Sequence, residues 1–128
     1  MELVKSMVKE MMKEIGNKSR EFYEFVLPPI DMHLDDEKLI LIVDVPGFEK
    51  KDIKLSLNGK ILSIKACKEV HDEKNLNIIC NQRPNIIDKK IRLPVEPKEE
   101  AVISAKYDQG ILTITIPIQK HDKDIKVD

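Results

Sequence analysis

The feature that most constrains this chain is a change of hydrophobic period at Pro28-Pro29. Before the prolines, Val4, Met7, Val8, Met11, Met12 and Ile15 recur at intervals of three and four, with Lys5, Ser6, Lys9, Glu10, Lys13 and Glu14 between them. That spacing predicts an amphipathic helix over Met1–Ile15, ended by Gly16-Asn17. Phe22, Tyr23 and Phe25 continue as an apolar patch to Leu27, and the prolines stop any helix from passing onward. Beyond them the period is two, the repeat of a half-buried strand.

Leu39–Val45 is a nearly continuous apolar run closed by Pro46-Gly47. Ile53, Leu55 and Leu57 alternate with polar residues up to Asn58-Gly59, a strong short-range hairpin signal, and Leu62, Ile64 and Ala66 alternate on the return. Lys68–Asn77 reads as a long polar loop with a short strand at Leu76–Cys80. Ile86–Leu93 is a further strand, and Val102–Tyr107 and Ile111–Ile116 form a second hairpin across Asp108-Gln109-Gly110. Short strands near ten residues apart, with no helices between them, predict an all-β fold, an antiparallel immunoglobulin-like β-sandwich. The chain divides into an N-terminal amphipathic arm (1–27), the sandwich (28–118) and an extended C-terminal tail (119–128).

Composition narrows the function. Lys and Arg number 22 against 23 Asp and Glu, so the formal charge is −1, and there is no Trp. This argues against nucleic-acid binding, which uses a basic stripe or stacking aromatics. No apolar run reaches the ~18 residues of a membrane span, and the charged N-terminus does not resemble a secretion signal. The expectation is a soluble cytoplasmic protein. Cys67 and Cys80 are thirteen positions apart and match no metal spacing, and His33, His71 and His121 are scattered singly. Each glycine is accounted for by a turn or a helix end, leaving no phosphate loop. The paired acids Asp35-Asp36 and Glu99-Glu100 read as solvated turn residues, and Asp44 as part of the Pro-Gly turn. No constellation supports an enzyme, a metal or a cofactor.

What remains is adhesive surface at the two ends. Four of the five methionines and three of the five aromatic residues precede Pro28. Unbranched thioethers repack against irregular partners, but such a helix equally fits as cover for its own sandwich; both readings stand. Ile125-Lys126-Val127 is an apolar triplet in a polar tail. It is either incidental or an extended segment whose two side chains enter pockets along a sheet edge.

Several motifs in order resemble the small heat-shock proteins, the α-crystallin-type chaperones. Val43-Asp44-Val45-Pro46-Gly47-Phe48 is similar to the family's apolar–acidic–apolar–Pro-Gly-Phe turn, and Asn58-Gly59-Lys60-Ile61-Leu62 to its central hairpin. Ile91-Arg92-Leu93-Pro94, Ala105 through Gly110-Ile111-Leu112, Ile116-Pro117 and the terminal Ile125-Lys126-Val127 complete the resemblance. The chain departs from the pattern at Gln82-Arg83, where many members carry Glu-Arg, and at Lys89 or Lys90, which stands for an Arg. A lysine there keeps the charge but loses the planar fork of a bidentate ion pair.

The resemblance implies an α-crystallin domain in an ATP-independent holdase that works as a large homo-oligomer on unfolded or misfolded client proteins. It implies dimers in which the loop segment around Leu76, Ile78, Cys80 and Arg83 exchanges onto a partner's first strand at Asp31, Met32, His33 and Leu34. Ile125 and Val127 would dock in a groove walled by Ile53, Leu55, Leu57, Val102 and Ser104 of a neighbouring dimer. Clients would meet Val4, Met7, Val8, Met11, Met12, Ile15, Phe22, Tyr23 and Phe25. The rival readings are a monomeric co-chaperone or adaptor on the same sandwich, and a membrane-surface protein using its first helix. The near-cancellation of charge on that helix weakens the second.

Overall fold

The structure is a computed structural model that describes residues 2–68, 76–119 and 125–128. The central part of the predicted long loop and the start of the predicted tail lie outside these residues.

Helix α1 runs from Glu2 to Val26. The expected stop at Gly16-Asn17 does not occur, and Phe22, Tyr23 and Phe25 belong to the last turns of the same helix. A glycine inside a helix costs about 1 kcal/mol relative to alanine. Here Gly16 is the one buried residue of α1, so its missing side chain serves a close approach rather than an end. Glu14 pairs with Lys18 across this point at 3.2 Å, and Arg20 pairs with Glu24 beyond it at 3.4 Å, both four residues apart. Pro28 then ends it, as the sequence requires.

Seven strands follow among the described residues: β1 (Ile30–Leu34), β2 (Lys38–Asp44), β3 (Ile53–Asn58), β4 (Ile61–Cys67), β5 (Ile86–Arg92), β6 (Ser104–Asp108) and β7 (Ile111–Pro117). They form two antiparallel sheets, β1-β2-β7-β6 and β3-β4-β5. Leu76–Cys80, expected as a short strand, is not one in the single chain. The second hairpin begins at Ser104, leaving Val102 ahead of its strand.

Alternation fixes which faces meet. Leu39, Leu41 and Val43 of β2 and Leu112, Ile114 and Ile116 of β7 point inward from one sheet; Leu62, Ile64 and Ala66 of β4 and Ile87 and Ile91 of β5 answer from the other. Val45, Phe48 and Leu93 plug the ends, and no charged or polar residue is buried among the described residues. Burying one Leu or Ile stabilises by about 1.5–3 kcal/mol, so a register slip of one residue, which would turn each inward set to solvent, is strongly disfavoured.

The two tight hairpins differ. β3 and β4 are joined by Gly59-Lys60, with Asn58 already paired to Ile61. β6 and β7 are joined by Gln109 and Gly110, at φ 50° and 79°, the two left-handed positions of a type I′ turn. A Cβ on Gly110 would lie 3.2 Å from the Pro46 Cα, and its carbonyl accepts the Val45 N–H at 2.7 Å. This glycine therefore locks the hairpin tip to the Pro-Gly-Phe turn.

Candidate binding surfaces

Three surfaces follow from this frame. The first is the open lip between the sheets where the edge strands β3 and β6 meet. Ile53, Leu55 and Leu57 pair with Ala66, Ile64 and Leu62, so they share the inward face, yet they remain half-buried because no further strand covers them among the described residues. Ile53 and Leu55 join Ala105, Tyr107 and Leu112 around a groove of about 210 Å³, with Lys50 at its rim. The Tyr107 hydroxyl lies 2.7 Å from both the Val45 and Phe48 carbonyl oxygens and donates its one proton to either. That anchors the ring as a fixed wall.

Three predicted groove residues do not line it: Leu57 shares the inward face of β3 but lies beyond the groove, and Val102 and Ser104 lie elsewhere. Val102 is 86% exposed and precedes β6. Ser104 pairs with Thr115, which faces away from the core, so Ser104 lies on the outer face. Ala105 and Tyr107, one residue out of phase with Ser104, form that wall instead. The signal is present in the sequence: both are in register with Ile114 and Leu112 across the Gln109-Gly110 turn.

The second surface is β1. Met32 and Leu34 pair with Leu41 and Leu39 and so share the inward face, yet they are 42% and 54% exposed. Asp31 and His33 alternate to the other face. The strand is an edge whose far side is unpaired among the described residues, the arrangement that invites an added strand. At its end, Asp35 closes the turn into β2. Its carboxylate accepts the N–H groups of Glu37 and Lys38, both at 2.8 Å, and these bonds hold its pKa below the ordinary carboxylate value.

Leu76, Ile78, Cys80 and Arg83, the other half of the expected exchange, are all exposed. Arg83 reaches back over the Pro-Gly-Phe turn, where its Nη2 lies 2.9 Å from the place a Gly47 Cβ would take. Beside it, Lys68 lies 5.3 Å from the Phe48 ring centre; burial, then the Arg83 charge, push its pKa down.

The third surface is α1 itself. The helix meets the rest of the molecule along the row Gly16, Arg20, Glu24, where Glu24 accepts the Asn85 N–H at 3.4 Å. At 100° per residue, Met7, Met11, Ile15 and Phe22 lie well round the helix from that row, and all are exposed, Met11 and Phe22 to 60% and 61%. Val4, Val8, Met12, Tyr23 and Phe25 are exposed as well. The second half of the helix is held by its small and polar side, so Met7, Met11, Ile15 and Phe22 do not serve as cover for the sandwich in the single chain. At the other end of the chain, Ile125 and Val127 are 86% and 90% exposed.

Two antiparallel sheets with an open β3–β6 lip, a Pro-Gly-Phe turn locked under Tyr107 and a long segment between β4 and β5 define a specific architecture. The Hsp20/alpha crystallin family profile matches residues 31–128. The chain belongs to this family, the small heat shock proteins. Small heat shock protein C2 of Rickettsia felis is 34% identical over 119 residues, which are 84% of this chain and 77% of that relative. Small heat shock protein C1 of Rickettsia typhi is 37% identical over 95 residues, 71% of this chain but only 55% of that longer relative. Among solved structures, a point mutant of hsp14.1 from Sulfolobus solfatataricus P2 superposes with a TM-score of 0.74 at 39% identity, covering 94% of this chain and 97% of that one. Both the all-β sandwich and its family are therefore as the sequence motifs imply. No helix among the described residues is long and apolar enough to cross a membrane.

Proposed function

We propose that this small heat shock protein is an ATP-independent holdase of the cytoplasm, which binds non-native proteins under stress and keeps them from aggregating. The observation that carries this reading is the outward stripe of α1. A chain that buries the apolar faces of its sandwich nevertheless displays Met7, Met11, Ile15 and Phe22 on a helix held by its opposite side. Such a stripe is adaptable because thioethers repack, and it is carried by a domain whose surface charges balance. No catalytic step is part of this function.

The assembly that fits is a homo-oligomer of strand-exchanged dimers. Leu76–Cys80 of one chain would add to β1 of another, covering Met32 and Leu34 and completing the open edge. Ile125 and Val127 fit the role of an extended hook for the β3–β6 groove of a neighbouring dimer. Each hook contributes at most a few kcal/mol, less the cost of ordering the tail. Contacts of that strength are singly reversible and collectively firm.

The test is to replace Met7, Met11, Ile15 and Phe22 together by Ser. The variant is expected to keep its β-sheet circular dichroism and lose protection of a heated client. Undiminished protection would place client binding elsewhere.

A further inference from the structure

A ridge of α1 that starts beside its free stripe and winds to the opposite side holds one particular segment, with a consequence for assembly. A Cβ built on Gly16 would lie 3.0 Å from the Asn81 nitrogen, 3.2 Å from the Cys80 Sγ and 3.5 Å from the Cys80 Cα. The helix backbone is thus pressed against the Cys80–Asn81 peptide, and a side chain at position 16 would make that segment shift by a few tenths of an ångström. One residue earlier, Ile79 forms the wall opposite Val4, Val8 and Met12 in a shallow groove of about 330 Å³. Further along, Glu24, itself paired with Arg20, accepts the Asn85 N–H. Val4, Val8, Met12, Gly16, Arg20 and Glu24 are every fourth residue, a single ridge of the helix, and Ile79, Cys80, Asn81 and Asn85 meet it in that order.

Ile79 and Cys80 are consecutive, and both turn toward α1. In a β-strand, consecutive side chains point to opposite faces. The segment seated on the helix is accordingly bent at Ile79 and is no strand.

We propose that α1 is a lock on strand exchange: in the unpaired chain its Val4–Glu24 ridge holds Ile79–Asn85 bent, and the segment must leave the Gly16 notch before Leu76–Cys80 can pair with another copy's β1. This rests on the strand-exchanged dimer proposed above. Release of the segment frees the part of Val4, Val8 and Met12 that Ile79 shields, next to the free stripe, so dimer formation and the area offered to clients rise together.

The test is a disulfide trap. Gly16→Cys is combined with Cys67→Ser, so that Cys80 is the one native thiol left, and with Ile125→Ser and Val127→Ser, so that tail docking does not mask the dimer. The dilute chain is oxidised with diamide, concentrated and sized by light scattering before and after reduction. The expected result is an intrachain link, a mass that stays near the 14.8 kDa of one chain, and recovery of the dimer on reduction. Absence of an intrachain link, a link between two chains, or a linked chain that dimerises as well as the reduced one would each overturn the lock.

Because a cysteine at position 16 crowds Asn81, Glu24→Ala in the chain whose only other changes are Ile125→Ser and Val127→Ser provides a second reading. It removes the tie to Asn85 without touching the core. It is expected to tighten dimerisation several-fold by raising the fraction of competent chains, and an unchanged dissociation constant would count against the lock. A native reduced chain that is monomeric at every concentration overturns the exchanged dimer and the lock together. A dimer indifferent to the link overturns the lock alone.

Discussion

The Tyr107 hydroxyl stands 2.7 Å from the Val45 carbonyl oxygen, tying the last residues of β6 to the Pro-Gly-Phe turn. Phe48, whose carbonyl is the alternative acceptor at the same distance, plugs the end of the core. One side chain therefore joins the wall of the β3–β6 groove to the core. Tyr107→Phe keeps the ring and removes the bond, so the expected loss is about 1 kcal/mol of stability. Urea unfolding with an unchanged m-value checks it.

Gly110 sits across the same junction. Gly110→Ala places a Cβ 3.2 Å from the Pro46 Cα at a φ of 79°. Strain in the left-handed region adds to the crowding. The expected result is a destabilisation greater than that of Tyr107→Phe, measured by the same urea transitions.

Asp35 gives the β1–β2 turn a pH dependence. Its pKa is lowered on folding by the Glu37 and Lys38 N–H bonds. A depressed folded pKa means the contribution is complete above the unfolded carboxylate value and fades as pH falls through the folded value. The Glu37 and Lys38 amide resonances are expected to move together in acid, below the ordinary carboxylate range. Asp35→Asn, which keeps an acceptor oxygen but does not titrate there, is expected to abolish that movement.

Ile125→Ser with Val127→Ser tests the tail. Each apolar side chain contributes at most a few kcal/mol when docked, so the expected outcome is dissociation of the large assembly to dimers on light scattering. An unchanged mass would remove the tail from the assembly.

Much of this architecture is legible in the residues. Alternation in Ile53–Leu57, Leu62–Ala66 and Ile111–Ile116 marks the core faces because a strand repeats every two residues. The continuous apolar run Leu39–Val45 marks a further strand without revealing its face, and Gly59 and Gly110 mark the turns. Gly16 reads locally as a helix end because a glycine after an amphipathic run is the common C-terminal signal. Its role as a notch depends on Cys80 and Asn81, more than sixty residues away, which no local pattern encodes. Ser104 falls on the groove only if Val102–Tyr107 is treated as one surface. The pleat gives the groove to Ala105 and Tyr107 and turns Ser104 outward. Leu76–Cys80 has strand-like composition but is no strand in the single chain, where Ile79 and Cys80 both turn toward α1.

The central claim is that the chain holds non-native proteins in solution without consuming nucleotide. The most direct measurement is light scattering from a heat-labile enzyme warmed past its unfolding temperature, with and without the native chain and with no ATP present. The account predicts that scattering is suppressed as the chain approaches equimolar amounts, with the enzyme recovered in soluble complexes. An enzyme that precipitates at the same rate and to the same extent with the chain present would contradict it.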